Sequence, residues 1–252
     1  MTFGPLAAAP VNPVTSARAD VAGTPELFGL VADLLDYPED DLVVRAAELA
    51  ARAAALPDTP PARLVVDFCR WFGTTDPDAM REAYVATFDH SRRHALYVTY
   101  ATHGDTRRRG AALLAFKRLY DAQGFVGPVD ELPDFLPTVL RFAAVASADA
   151  AATALALAHP GIELVAASLS ASHSPWAGLL EAARECLPPL DEAGERFVTS
   201  IIRDGPPTEE VGVTADLGRG DGSGVPHDDV LGRGSDGVPR GEVALAVEGA
   251  LA

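Results

Sequence analysis

Prolines standing directly after a helix-capping side chain recur along this sequence, and they leave few choices for its fold. In TPELFGLVADLLDYP, Thr24 is placed to cap, Pro25 takes the first helical position and Glu26 sits in the first turn. The arrangement returns at Pro77, behind Thr75 or Asp76, and at Pro175, behind Ser174. Proline is tolerated there because a first-turn N–H has no partner within the helix, whereas further inside it breaks the run. Each start is followed by apolar residues at helical spacing. Leu27, Leu30, Val31, Leu34 and Leu35 form one stripe, and Met80, Tyr84, Val85 and Phe88 form another. The same logic predicts a helix over 39–56, with Leu42, Ala46, Leu49 and Ala53 on one face. It predicts one after Pro60 and Pro61 carrying Val65, Phe68, Cys69 and Phe72, and one over 105–123 closed by Gly124. Further helices are expected from near Pro133, on either side of Pro160, after Ser174, and over 191–202. No alternating strand pattern or hairpin signal interrupts 24–203. The expected fold is therefore all-α, a single helical bundle over 24–203. Residues 1–23 are expected to be a disordered arm, and 204–252 an acidic Gly/Pro-rich disordered tail.

Charge narrows the classes of partner. A formal net charge of -16 argues against nucleic acid, whose phosphates need a basic surface. The two cysteines, Cys69 and Cys186, lack metal-binding or redox spacing and suit a reducing compartment. No apolar run approaches the roughly 20 residues that span a bilayer, and the N-terminus lacks a basic start followed by an apolar block. These features predict a cytoplasmic protein without stable membrane insertion.

One stretch departs from its alanine-rich surroundings: FDHSRRHALYVTYATHGDTRRRG, residues 88–110. His90 and His94 are four apart and would share a helix face, with His103 and the carboxylates of Asp89 or Asp105 nearby in sequence. A metal-dependent helical enzyme built on His90, His94 and His103 is thus the alternative to a binding protein. Against it, no glutamate follows His90, the intervening Arg92 and Arg93 oppose a cation, and Asp89 precedes His90 in the reverse of a His-Asp dyad. Nucleophile-elbow, dinucleotide and P-loop motifs are missing as well, so no catalytic residue, metal ligand or cofactor is assigned. Arg107, Arg108 and Arg109 open a helix, where the dipole disfavours positive charge. They either pair with Asp89 or Asp105 on a solvated face or grip a carboxylate of a partner. Tyrosine and arginine together are enriched at interface hot spots.

The stretches YVATFD, THGDTRRRG and ELPDFLP, in this order and spacing, with LFGLVADLLDYPEDDL upstream, resemble the NarJ family of nitrate reductase molybdenum cofactor assembly chaperones. The resemblance extends to the wider group of TorD-like and DmsD-like redox-enzyme maturation proteins. It implies an all-helical, non-catalytic cytoplasmic chaperone. Such a protein binds the N-terminal segment of the apo nitrate reductase catalytic (alpha) subunit, keeps it competent for cofactor insertion and leaves the mature enzyme. Proteins that deliver the molybdenum cofactor are further implied partners. The family pattern falls on Tyr84, Phe88 and Asp89, on His103, Gly104, Arg107 and Gly110, and on Leu132, Pro133, Asp134 and Leu136. Together with Tyr97, Tyr100 and Asp105, the residues expected to bind the client are Tyr84, Phe88, Asp89, His103, Arg107 and Asp134. Arg107 is expected to be the inward-facing arginine. Phe135 and Arg141 stand where many relatives have His and Glu, so the contact there is expected to differ.

Overall fold

The computed structural model describes residues 24–207, and the expected arm and most of the expected tail lie outside them. The fold is an all-α bundle. Its helices are α1 (Thr24–Leu34), α2 (Asp40–Val44), α3 (Ala46–Ala54), α4 (Pro60–Thr74), α5 (Pro77–Phe88), α6 (Val98–His103), α7 (Arg107–Gln123), α8 (Leu136–Val145), α9 (Ala148–Ala171), α10 (Ala177–Glu185) and α11 (Glu192–Asp204). A 3-10 turn at Arg92–His94 joins α5 to α6. The only extended pairing among the described residues is an isolated antiparallel bridge between Tyr97 and Phe135.

The capping residues act largely as their types predict. The Asp76 carboxylate accepts from the backbone N–H groups of Asp78 and Ala79, Thr59 accepts from Ala62, and Asp191 from Gly194. Gly124 ends α7 with φ 64°, a left-handed conformation that favours glycine. Ser174 accepts from Trp176 one turn before α10 is established.

Helix α9 occupies the centre and packs against α6, α7, α8, α10 and α11. Its buried face runs through Ala154, Ala158, Ile162, Val165 and Leu169. Leu30, Leu34 and Leu35 of the α1 region and Leu136, Val139, Leu140 and Phe142 of α8 fill the adjoining core. Each of these larger side chains contributes about 1.5–3 kcal/mol by leaving water.

Three expectations about the helices are corrected. Residues 39–56 form two helices, because Arg45 leaves helical geometry at φ -83° and ψ 4° and turns its guanidinium to Glu48. Few residues there are buried, chiefly Leu42, Leu49 and Ala53, so little holds the two parts in line. Pro160 separates nothing: α9 runs through it. Proline inside a helix costs about 3 kcal/mol, which the buried face on both sides of it offsets. The joined helix also corrects the expectation about span-length runs. Over Ala148–Ala171 it is long and apolar enough to cross a membrane, although more than half of that stretch is buried within the protein. Helix α6 stands in the stretch before Asp105, where neither a capping residue of its own nor a first-turn proline announces it.

Candidate functional site

Helix α6 is short, and its start depends on contacts from elsewhere in the chain. No side chain of its own caps it. Asp134, fully buried, does so from the ELPDFLP stretch. Its Oδ2 accepts from the Thr99 N–H at 3.1 Å and from Thr99 Oγ1 at 2.6 Å. Main-chain bonds on each side, Val98 N–H to Asp134 O at 3.2 Å and Leu136 N–H to Leu96 O at 2.7 Å, tie the two segments into the Tyr97/Phe135 bridge. The Tyr120 hydroxyl donates to Pro133 O at 2.8 Å and holds the same loop from α7. On its inner side α6 meets α9 at Gly161, where a Cβ would lie 2.6 Å from both Val98 Cβ and Val98 O. Only glycine lets the two backbones come so close.

Tyr97 thus stands on a rigid mount. Its ring packs against Phe135 with centroids 5.5 Å apart, and its hydroxyl donates to Glu131 Oε1 at 2.8 Å. Burial, followed by the bond to Glu131, pushes its phenol up to about 12. Phe135 therefore works as the support for a tyrosine. The other departure from the family pattern, Arg141, reaches across from α8 to Asp36, to Asp33 at 3.4 Å and to the Ala32 carbonyl. Burial raises the Asp36 pKa even with Arg141 beside it.

Arg109 occupies the place expected for Arg107. Its guanidinium lies over the Tyr100 ring at 5.2 Å, its Nε donates to Thr99 Oγ1 at 3.4 Å, and Asp105 stands 3.7 Å away. A chain of hydrogen bonds therefore runs from Arg109 through Thr99 to Asp134. Arg107 and Arg108 are exposed on the first turn of α7. The correction has a simple origin: α7 begins at Arg107, and the position two residues later faces back toward α6.

Tyr84, Phe88 and Asp134 also differ from their expected role as contacts. Tyr84 and Phe88 belong to the core. Tyr84 donates to Leu35 O at 3.0 Å, and both rings pack on Trp176 at 5.5 and 5.4 Å. Burial first, then the carboxylates of Asp36 and Asp89, raises the Tyr84 phenol. As they stand, these three residues offer a client almost no surface, and they shape the site from below. Asp89 and Asp105 are exposed, while Tyr97, Tyr100 and His103 are half-buried. The His103 ring lies 6.5 Å from Phe197, and burial, aided by Arg108, lowers its pKa.

The three histidines are not gathered around a centre. His90 is exposed and the Nδ1 of His94 is 2.9 Å from the Thr87 carbonyl. Among the described residues no group of three His, Cys, Asp or Glu side chains could hold a metal ion.

Tyr37 and Glu131, which the sequence reading did not assign to the client, complete the surface together with Leu132 of the family pattern. Tyr37, 42% exposed, stands edge-on to Tyr84 at 5.4 Å, and Leu132, 41% exposed, follows Glu131. The Glu131 carboxylate acts on Asp36 and on both Tyr84 and Tyr97, so these groups share one neighbourhood. Glu131 stands within the distinctive ELPDFLP stretch, and its position there was the available signal. Tyr37 lies within LFGLVADLLDYPEDDL, the upstream stretch of the resemblance, but no local pattern there marks it as a surface contact.

Comparison with known proteins gives this geometry a context. A family model described as the nitrate reductase delta subunit matches residues 39–182. The chain is 31% identical over 153 residues to the probable nitrate reductase molybdenum cofactor assembly chaperone NarJ of Bacillus subtilis, covering 61% of this chain and 83% of that protein. It is 28% identical over 211 residues to the Escherichia coli K12 chaperone of the same name, covering 79% and 89%. The nitrate reductase-like protein NarX of Mycobacterium tuberculosis is 36% identical over 168 residues, which are 67% of this chain but 25% of that longer protein. With its helical bundle and with more than half its length matched, the chain belongs to the nitrate reductase delta-subunit family, that of the NarJ-type molybdenum cofactor assembly chaperones.

Proposed function

We propose that this protein is a dedicated assembly chaperone for a respiratory nitrate reductase. It binds the N-terminal segment of the apo catalytic subunit in the cytoplasm, keeps that subunit competent for molybdenum cofactor insertion, and is absent from the mature enzyme. Proteins that deliver the cofactor meet it while the client is bound. The observation that carries the proposal is the surface around Tyr97. Exposed Tyr37 and Leu132 and half-buried Tyr97 share one neighbourhood with the carboxylates of Asp36, Asp89 and Glu131. Such a surface suits an amphipathic helix whose apolar side packs on the rings while basic side chains meet the carboxylates. Tyr100, His103, Asp105 and Arg107 extend it along α6 and the start of α7. Tyr84, Phe88 and Asp134 keep it in shape.

The test is calorimetric titration of the client's N-terminal peptide into the full-length chain and into Tyr37→Ala and Glu131→Gln variants. Tyr37 is a surface residue, so its truncation spares the core. Loss of a true anchor costs about 1–2 kcal/mol, roughly five- to thirty-fold in affinity. Affinity unchanged in both variants would place the client elsewhere on the bundle. Co-purification with a tagged catalytic subunit before and after cofactor loading checks the order of events, and the expected result is association with the unloaded subunit only.

A further inference from the structure

Helix α7 has two sides in different company. Arg109 and Tyr120, eleven residues apart and so on nearly one line of the helix, reach inward to Thr99 and to the Pro133 carbonyl. Arg118 comes nine residues after Arg109, about two and a half turns, and therefore points the opposite way. The outer side around it is built of small residues. Ala111 and Ala122 are exposed, a Cβ on Gly110 would meet nothing within 4 Å, and Leu114 is 44% exposed. Arg108, three residues before Ala111, is exposed at the edge of the same side.

The charges on this side are unbalanced. Helix α7 carries Arg107, Arg108, Arg109, Lys117 and Arg118 against Asp121 alone, in a chain whose formal net charge is -16. Most cations among the described residues have a carboxylate within 4.0 Å, and Asp121 serves Lys117 in this way at 3.5 Å. Arg92, Arg93, Arg108 and Arg118 have none among the described residues, and all four fall in one stretch of the sequence. Arg107 already has an interaction of its own and is not among them. Arg108 also stands in the first turn, where the helix dipole disfavours it, and Asp105, three residues before it, faces Arg109. Arginines left unbalanced along an exposed helix face are a local cost with no return inside the fold, which marks a surface shaped for something outside it.

Arg108 and Arg118 are ten residues apart, about 15 Å along the helix, a spacing that suits successive charges of a polymer better than one small anion. The acidic remainder of the protein decides among the polymers. A nucleic acid or an anionic membrane presents charge over its whole extent and would meet the rest of an acidic surface as well. A membrane would also need bulky apolar side chains on this face, and Leu114 is the only large one exposed on α7. A single acidic helix is narrow enough to touch α7 alone. Carboxylates elsewhere on the protein, beyond a Debye length of about 8 Å at physiological ionic strength, repel it little. Gly110, Ala111 and Ala122 let such a helix come close, and carboxylates three turns apart along it fall on Arg108 and Arg118. We propose that the outer face of α7 docks an acidic helix of a second protein and is separate from the client surface. The separateness rests on the client surface proposed above. The docking does not.

Two measurements on the full-length chain test these statements. The first titrates an alanine-based helical peptide of about 18 residues, with glutamates along one side and a neutral fluorophore, and reads fluorescence anisotropy. Binding to the parent is expected to weaken about fivefold in an Arg108→Gln/Arg118→Gln variant, and as much when salt is raised to about 0.5 M. An Arg63→Gln/Arg70→Gln variant, which removes the same charge from exposed pairs of α4, is expected to bind like the parent. No binding to the parent, or equal binding to the parent and the Arg108→Gln/Arg118→Gln variant, overturns the docking. So does a parent that binds vesicles of phosphatidylserine and phosphatidylcholine through these arginines and ignores the peptide, since the face is then a membrane contact. The second measurement titrates the client's N-terminal peptide into the parent and the Arg108→Gln/Arg118→Gln variant, and affinities equal to within about twofold are expected. Weaker client binding to the variant overturns the separateness and leaves the docking. If the client peptide does not bind the parent, the client proposal fails, and the separateness with it, while the first measurement still decides the docking.

Discussion

Replacing Gly161 with alanine adds a single methyl group, and its effect can be worked from the structure. In the middle of a helix this change normally stabilises by up to about 1 kcal/mol, because glycine has more backbone freedom to lose. At Gly161 the new carbon would lie 2.6 Å from Val98 Cβ, 2.6 Å from Val98 O and 2.8 Å from Val98 Cα. Carbon atoms settle at about 3.5–4.0 Å, so α6 and α9 must part by roughly 1 Å. Two of the three opposing atoms are backbone, and Val98 is held by its N–H bond to Asp134 O, so rotation of a side chain cannot relieve the clash. Overpacking of this kind costs about 1–3 kcal/mol. Set against the helix-propensity gain, the net effect is destabilisation by about 1–2 kcal/mol, or about 2–8 °C in Tm for a domain of this size. Gly110, in α7, supplies the control: a Cβ there meets nothing within 4 Å, and Gly110→Ala should stabilise by about 0.5–1 kcal/mol. Urea unfolding followed by circular dichroism measures both, with an unchanged m-value confirming that the unfolded states are comparable. If Gly161→Ala proves as stabilising as Gly110→Ala, α6 does not rest on α9 as described.

Asp134→Ala should destabilise by about 2–4 kcal/mol, because the Thr99 N–H and hydroxyl both lose their buried hydrogen-bond acceptor; a loss under 1 kcal/mol in urea unfolding would show that α6 stands without its cap. Asp76→Ala, which leaves the Asp78 and Ala79 N–H groups uncapped, should cost about 0.5–2 kcal/mol by the same measurement. Burial is the largest cause lowering the pKa of both His103 and His159, so the unfolded chain takes up protons first as the pH falls through the ordinary histidine value of about 6.5. Stability should therefore decline between about pH 7.5 and 5.5, and a His159→Gln variant should show a shallower decline; a slope unchanged by that substitution would assign the effect to other groups.

Most of the helix starts were legible because the interactions that make them are local. Thr59, Asp76 and Asp191 reach backbone groups two or three residues away, and Gly124 takes up its left-handed conformation where the apolar stripe of α7 ends. The all-helical class arises from these signals together with the apolar periodicity between them. The distinctive stretches were legible too, and the structure brings THGDTRRRG and ELPDFLP together around α6. Their internal roles were not. Tyr84 and Phe88 look like the other aromatic residues of a binding segment until Trp176, about ninety residues away, is seen to pack against both. Arg109 differs from Arg107 and Arg108 only through Thr99 and Tyr100 on a helix the sequence did not announce. That helix has no cap of its own and depends on Asp134, while α9 passes through Pro160 because its buried face offsets the broken hydrogen bond. The sequence by itself determined what each segment can form within its own few turns. Tertiary structure decided which marginal segments do form, and which polar groups point inward, because the partners that offset those costs lie tens of residues away and are brought close only by folding.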